Sequence, residues 1–267
     1  MVYPIGRALY LSFTRYSLVK PPHWIGLQNY STLLKDPAAR NAIKNTVLYG
    51  AVTTIGGVVL ALLIAVLLNQ RFPFRGIART AVFVPFIVSL SVVSIAWSYL
   101  LDPDIGLLTY WGSKVGISAG QGFLVNPNLA MVSVIVVGIW KYLGFYVVMY
   151  LAALQSIPRD LYEAAAVDGA GPVRRFFTVT WPLLSNQTML VAIIATITNL
   201  QVFDQIFVLT QGGPFFRTET LVVMMYRVGF QNLQFGYAAA LSWVLVVMLM
   251  IVSAAQVAYF RRRTVQY

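Results

Sequence analysis

The stretch EAAAVDGAGPVRRFF, Glu163–Phe177, places two acids, two arginines and two glycines between segments oily enough to live in lipid. Carboxylates and guanidiniums so spaced can pair with one another or grip a partner, and Arg159 and Glu163, four apart, can form a weak helical pair. Nothing in the sequence completes a catalytic set around them. The chain has one histidine, His23 in PPHWIG, and no cysteine. A lone imidazole lacks the companions that a metal site or a serine triad needs, so His23 reads as an ordinary interfacial or loop residue. The absence of cysteine removes disulfides, thiolate metal sites and cysteine nucleophiles together. Intramembrane serine hydrolysis would need a histidine base inside the membrane, and His23 lies outside the apolar segments. No Gly-x-x-x-x-Gly-Lys-Ser/Thr run occurs, so no phosphate-binding loop is encoded here and the chain does not hydrolyse ATP itself.

The remaining polar groups with chemical potential sit inside apolar runs. A charge at the centre of a membrane span costs about 2.5–3.5 kcal/mol on insertion scales and usually faces a polar interior. Lys141, in GIWKYLGF, and Asp204 are the two such charges, and Asn199, Gln201 and Gln205 accompany the second. On one continuous helix Gln201, Asp204 and Gln205 would share a face. Ser91, Ser94 and Ser98 form a stripe beside Trp97, and Tyr142, Tyr146 and Tyr150 form another. Hydroxyls and aromatic faces suit a sugar-like solute. The alternatives are a structural bridge or interfacial snorkelling for the charges, and plain helix packing for the stripes.

These groups need elements to hold them, and composition says which. The chain is 267 residues long, 59% hydrophobic and only 10% charged, with a mean hydropathy of +0.74. Soluble domains are roughly 45–50% apolar and about 25% charged, so the solvent here is lipid. The net charge of +11 comes from basic residues between apolar blocks, which is a membrane-topology pattern and not a nucleic-acid surface. Charge-free runs cover 46–68, 80–101 and 236–260, each longer than the ~20 residues a helix needs to cross the hydrocarbon. Two more spans carry one charge each: 129–155 with Lys141, and 182–209 with Asp204. The opening MVYPIGRALYLSF is too short to cross alone. It is expected to be the outer end of a first span, within 1–18, whose beginning is missing; it lacks the pattern of a signal peptide. The segment GLQNYSTLL, Gly26–Leu34, reads as a short amphipathic surface helix.

Alternating spans place Arg71, Arg75 and Arg79, then Arg159, Arg174 and Arg175, then the tail RRRTVQY on one side. The positive-inside rule makes that side cytoplasmic, although Lys20, Lys35, Arg40 and Lys44 lie on the other. Within the polar stretch, Pro158 suits a first helical position and Gly169 the left-handed residue just past a helix end. Gly171-Pro172 repeats the device, giving helix, sharp turn, helix. The alanine run keeps one side slim for close approach, as a knob docking in a groove would require. A solvated connecting loop is the other reading these residues allow.

The stretch EAAAVDGAGPVRRFFTVTWPLL resembles the EAA loop of binding-protein-dependent ABC importer permeases of the maltose and glycerol-3-phosphate branch. The resemblance rests on Glu163, Ala164, Ala165, Asp168, Gly169, Ala170, Phe176, Val179 and Pro182. Trp181 replaces the usual leucine, and a second proline farther on is absent. The segments AALQSIPRDLYEAA before the loop, and FDQIFVLTQGGP, TETLVVMMYRVGF and GYAAALS after it, fall at the family's spacing.

The resemblance implies an all-α polytopic membrane protein: a single domain of six transmembrane helices, the first truncated, with a cytoplasmic coupling helix in the loop 156–181. The ATPase-coupling residues would be Glu163, Ala164, Ala165, Asp168, Gly169, Ala170, Arg174 and Phe176. A solute pathway would use Lys141, Asn199, Gln201, Asp204, Gln205, Ser94, Trp97 and Tyr146. It further implies a second permease subunit, two ATPase subunits that bind ATP and Mg, and an extracytoplasmic solute-binding protein docking near LTQGGP. The chain itself would bind no cofactor or metal. The whole would sit in a prokaryotic cell membrane with loop and C-terminus cytoplasmic, importing an oligosaccharide, glycerol-3-phosphate or a glycerophosphodiester. The competing class is a secondary transporter driven by an ion gradient, in which the loop would be idle.

Overall fold

A computed structural model describes residues 2–17, 19–70, 72–117 and 122–261. Arg71 and the basic tail 262–267, both used above to orient the chain, lie outside the described residues. The chain is mostly helical. After α1 (Val2–Ser12) an antiparallel hairpin, β1 (Thr14–Ser17) and β2 (Lys20–Trp24), pairs Thr14 with Trp24 and Arg15 with His23. The helices α2 (Gln28–Lys35), α3 (Pro37–Asn69), α4 (Arg75–Ile87), α5 (Leu90–Leu100), α6 (Leu107–Lys114) and α7 (Ala130–Ser156) follow. Then come α8 (Arg159–Val167), α9 (Pro172–Arg175), α10 (Trp181–Leu183), α11 (Ser185–Leu200), α12 (Asp204–Leu209), α13 (Leu221–Tyr226) and α14 (Phe235–Arg261).

Among the described residues three helices are long and apolar enough to cross a membrane: α3, α7 and α14. Counting each bent pair as one span raises the number to five. The run 80–101 divides into α4 and α5, bent by 100°. Pro85 lies in the last turn of α4 and Val88 is extended; proline there removes an N–H and crowds the preceding turn. The stretch 182–209 is also not one helix. The segment ending in α10 meets α11 at 66°, and residues 201–203 separate α11 from α12. Gln201 therefore does not share a helical face with Asp204 and Gln205. The hairpin was not foreseen, because Pro21 and Pro22 hid a short strand that is held by Trp24 stacking on Phe13. The helix α3 begins nine residues before its charge-free run, since Pro37 opens it and Asp36 Oδ1 accepts from Ala38 N–H at 2.9 Å.

Contacts divide the chain into two compact units. The first contains 1–51, 90–137 and 199–250. Its core packs Leu33, Ala42, Leu200, Leu221, Met224 and Leu241. Thr46 Oγ1 accepts from Leu221 N–H at 2.8 Å, which satisfies the free start of α13. The second unit contains 52–89, 138–198 and 251–267. Its core gathers Ala61, Ala65, Tyr146, Tyr150, Leu184 and Val191. A Cβ on Gly144 would fall 2.2 Å from Val82 O and 2.7 Å from Phe83 Cα, so only glycine lets α7 approach α4 this closely.

Candidate functional site

The polar stretch lies wholly in the second unit. Pro158, with φ −58° and ψ 136°, precedes α8 instead of opening it. At the other end, Gly169 N–H donates to Ala166 O at 3.0 Å and Ala170 N–H to Ala165 O at 2.9 Å. With Gly169 at φ +75° this is a Schellman closure, which consumes carbonyls that the helix end would otherwise leave bare. Gly171 then caps α9, whose first residue is Pro172. Arg175 Nε donates to Ala170 O at 2.7 Å, and its backbone N–H to Gly171 O at 2.9 Å, tying the turn to the second helix. Across the motif, the Tyr162 hydroxyl and Thr180 Oγ1 lie 3.0 Å apart. Helix, turn, helix is thus observed as one internally bonded element.

Its residues differ in exposure. Glu163, Ala164, Asp168, Gly169 and Arg174 are exposed, Ala165 and Phe176 half-buried, and Ala170 is buried in the turn. Phe176 packs against the core of the unit. Among the described residues the Arg159–Glu163 pair is not formed, which leaves Glu163 facing outward. Val167, 89% exposed, together with Val173 and Phe177, adds apolar surface to the same element. Sequence reading missed these three because single apolar residues carry no signal in so apolar a chain.

The residues expected along a solute pathway separate differently. Lys141 is only 4% exposed. Its Nζ donates to Pro85 O and Phe86 O, both at 2.9 Å, and to Val88 O. An ammonium has three N–H donors, and all three are spent on carbonyls freed where α4 stops. These bonds are those of the structural-bridge alternative for Lys141, made at the end of α4. Gln205 is fully buried, donating through Nε2 to Val134 O and accepting from the Tyr49 hydroxyl at 3.1 Å. Ser94, also fully buried, donates to Leu90 O at 2.8 Å within its own helix. Tyr146 is a core residue, 1% exposed, and Asn199 is buried. Gln201 and Asp204 are exposed and Trp97 is half-buried.

One charged pair was not singled out from sequence. Glu219, 1% exposed, accepts from Arg227 Nε at 2.7 Å and Nη2 at 3.0 Å. Asn45 Nδ2 donates to Glu219 O and Phe216 O, both at 3.0 Å, and so joins α3 to the same corner. The spacing of eight residues is not a helical pair, so only the fold reveals it. Removing the carboxylate from a buried pair costs about 3–5 kcal/mol, reduced here to about 2–3 because the Arg227 side chain keeps 31% of its surface. Glu219→Ala is expected to lower the thermal stability of the purified protein by that amount, and Arg227→Ala in the same chain to recover part of it. A double-mutant cycle in the unfolding midpoints checks both.

Residues 42–265 match the family described as binding-protein-dependent transport system inner membrane component. The sulfoquinovosyl glycerol transport system permease of Agrobacterium fabrum is 35% identical over 265 residues, 98% of this chain and 86% of that protein. The sn-glycerol-3-phosphate transport system permease of the same organism is 34% identical over 263 residues, 98% of this chain and 89% of that protein. Among solved structures, a chain of a bacterial ABC transporter involved in the import of the acidic polysaccharide alginate superposes with a TM-score of 0.85. It is 26% identical and covers 99% of this chain and 91% of its own. A glycine-closed polar helix pair set among membrane-length helices, matched over most of its length by this family and these relatives, makes the chain a member of the binding-protein-dependent transport system inner membrane components: the permease subunit of an ABC importer.

Proposed function

We propose that this permease carries a sugar or sugar-derived solute and that the loop 156–181 couples it to a separate cytoplasmic ATPase. The observation that carries the reading is the closed helix α8, whose Glu163, Ala164 and Val167 point away from the chain's own core. Ala164 keeps that side narrow, Val167 and Phe177 offer apolar contact, and Glu163 and Arg174 offer charge at the rim. Such a knob fits a groove on a partner. The Schellman closure and the Arg175–Ala170 bond make α8 and α9 move together, so a pull on α8 reaches α10 and α11 without being absorbed in the turn. Packed elements switch between discrete arrangements, which converts the pull into opening of the far side.

The assembly would contain a second permease subunit, two ATPase subunits holding ATP and Mg, and an external solute-binding protein. Six spans would follow from α3, α7, α14, the two bent pairs and a first span that includes α1. Exposed Gln201 and Asp204, with half-buried Trp97, are the groups available to solute, while buried Asn199, Gln205, Ser94 and Tyr146 would set their positions. The names of the permease relatives, both sugar- or glycerol-derived solutes, support the solute class.

Glu163→Lys tests the coupling. An exposed carboxylate contributes little to the fold, so the purified permease should keep its unfolding midpoint. Its yield of co-purified ATPase should fall about tenfold or more, because a reversed charge would oppose a partner surface matched to the carboxylate. Unchanged stoichiometry in the pull-down would remove the docking assignment.

A further inference from the structure

A second polar feature lies beside the coupling element and is not explained by it. A cavity of about 720 Å³ in the second unit is lined by Arg75, Arg79, Arg159, Asn69, Gln155 and Tyr162 among others. No acidic side chain of the described residues lines it. Arg79 is fixed in place by Nη2, which donates to Leu68 O at 2.9 Å, while its Nε is buried with no hydrogen-bond partner. A buried donor left unmade costs about 1–3 kcal/mol, more for a charged group, so the chain holds an incomplete site. Arg75 and Arg159 are the first residues of α4 and α8, and neither helix has a side-chain cap. Their free N–H groups and dipoles add positive potential to that of the guanidiniums. Three cations and two helix starts converging without a counter-charge call for an anion from outside the chain.

The location says which anion. Asn69 ends α3 and Gln155 lies in the last turn of α7, both membrane-length helices, and Arg75 begins a bent pair of the same class. The cavity is therefore at the level where apolar segments give way to water, the depth of lipid headgroups. Leu67 and Ile77, each two residues from a lining residue, are exposed and offer apolar surface for acyl chains. We infer that this cavity binds a phosphate group carried by an anionic membrane phospholipid, gripped by Arg75, Arg79 and Arg159. Planar guanidiniums bind phosphate oxygens in pairs, which a lysine would not reproduce.

The test uses the importer purified with its partner subunits and placed in nanodiscs of phosphatidylcholine alone, or with one-third phosphatidylglycerol. Native mass spectrometry should show phosphatidylglycerol retained by the wild type, with a higher unfolding midpoint in the mixed discs. Arg75→Gln and Arg159→Gln should each weaken retention about fivefold, roughly additively, the worth of one basic residue at an anionic surface. Equal behaviour of the wild type in the two discs would overturn the inference without any variant, so a misfolded mutant cannot rescue it. If millimolar inorganic phosphate displaces the lipid and stabilises the protein equally in phosphatidylcholine, the anion is free phosphate and the lipid assignment falls. If the double variant sheds its ATPase but retains lipid as before, the cavity is a protein contact and the inference falls.

Discussion

Lys141→Met is expected to lose about 3 kcal/mol of stability and to unlock the bend between α4 and α5, with solute affinity changed only as a consequence. The figure follows from the Lys141 contacts. Three carbonyls, of Pro85, Phe86 and Val88, accept from one ammonium, and methionine can donate to none of them. An acceptor left unmade costs about 1–3 kcal/mol, and Val88, 40% exposed, keeps some freedom to turn outward. The lost cation also stood at the end of α4, where positive charge is favoured by about 0.3–2 kcal/mol. Packing is the smaller loss: methionine fills a similar volume, and the Phe86–Phe145 stack at 4.7 Å does not depend on the ammonium. Thermal unfolding and hydrogen exchange across 85–90 read the effect. A solute-binding lysine would behave oppositely, with affinity falling and the unfolding midpoint unmoved; that outcome would return Lys141 to the pathway. Lys141→Arg should recover part of the stability, since its charge survives but its planar fork does not match three carbonyls arranged around one atom.

That residue also marks how far sequence reading reaches. Long apolar runs report length and lipid contact, and the helices α7 and α14 lie within a residue of 129–155 and 236–260 at each end. Direction is not in that signal. The carbonyls left free where α4 stops are met by Lys141, more than fifty residues away, and no local pattern joins them. The breaks around α11 are similar: no glycine or proline marks 201–203, while Gln205 turns inward to bond Tyr49 and Val134. The Glu219–Arg227 pair is hidden differently: its partners stand eight residues apart on either side of α13, a spacing that no local rule pairs. The loop around Gly169 was legible because its instructions are local. Glycine past a helix end, a proline directly after the next glycine and a run of alanines each act within one turn of chain.

The last expectation rests on that locality. Gly169→Val should disconnect ATP hydrolysis from transport while leaving the membrane helices assembled. A Cβ at Gly169 meets nothing within 4 Å, so no clash arises and the whole penalty is conformational. At φ +75° a side chain costs about 1–2 kcal/mol, and a β-branched one lies at the upper end. Two kcal/mol shifts a local equilibrium about thirtyfold, enough to open the two bonds from Gly169 and Ala170 that close α8. With them open, Ala170 O no longer holds the position that Arg175 grips, and α8 can swing without moving α9. The assembled importer should then hydrolyse ATP at a rate that its solute-binding protein no longer raises, with the permease's unfolding midpoint little changed. Gly169→Ala should lie between valine and wild type, as the cost of a positive φ grows with branching at Cβ. Gly169→Asn should come closest to wild type, since asparagine tolerates the left-handed region better than other residues. Stimulation that survives in the valine variant at the wild-type level would mean that the turn's shape does not transmit the pull, and the coupling element would have to be sought in α9 alone.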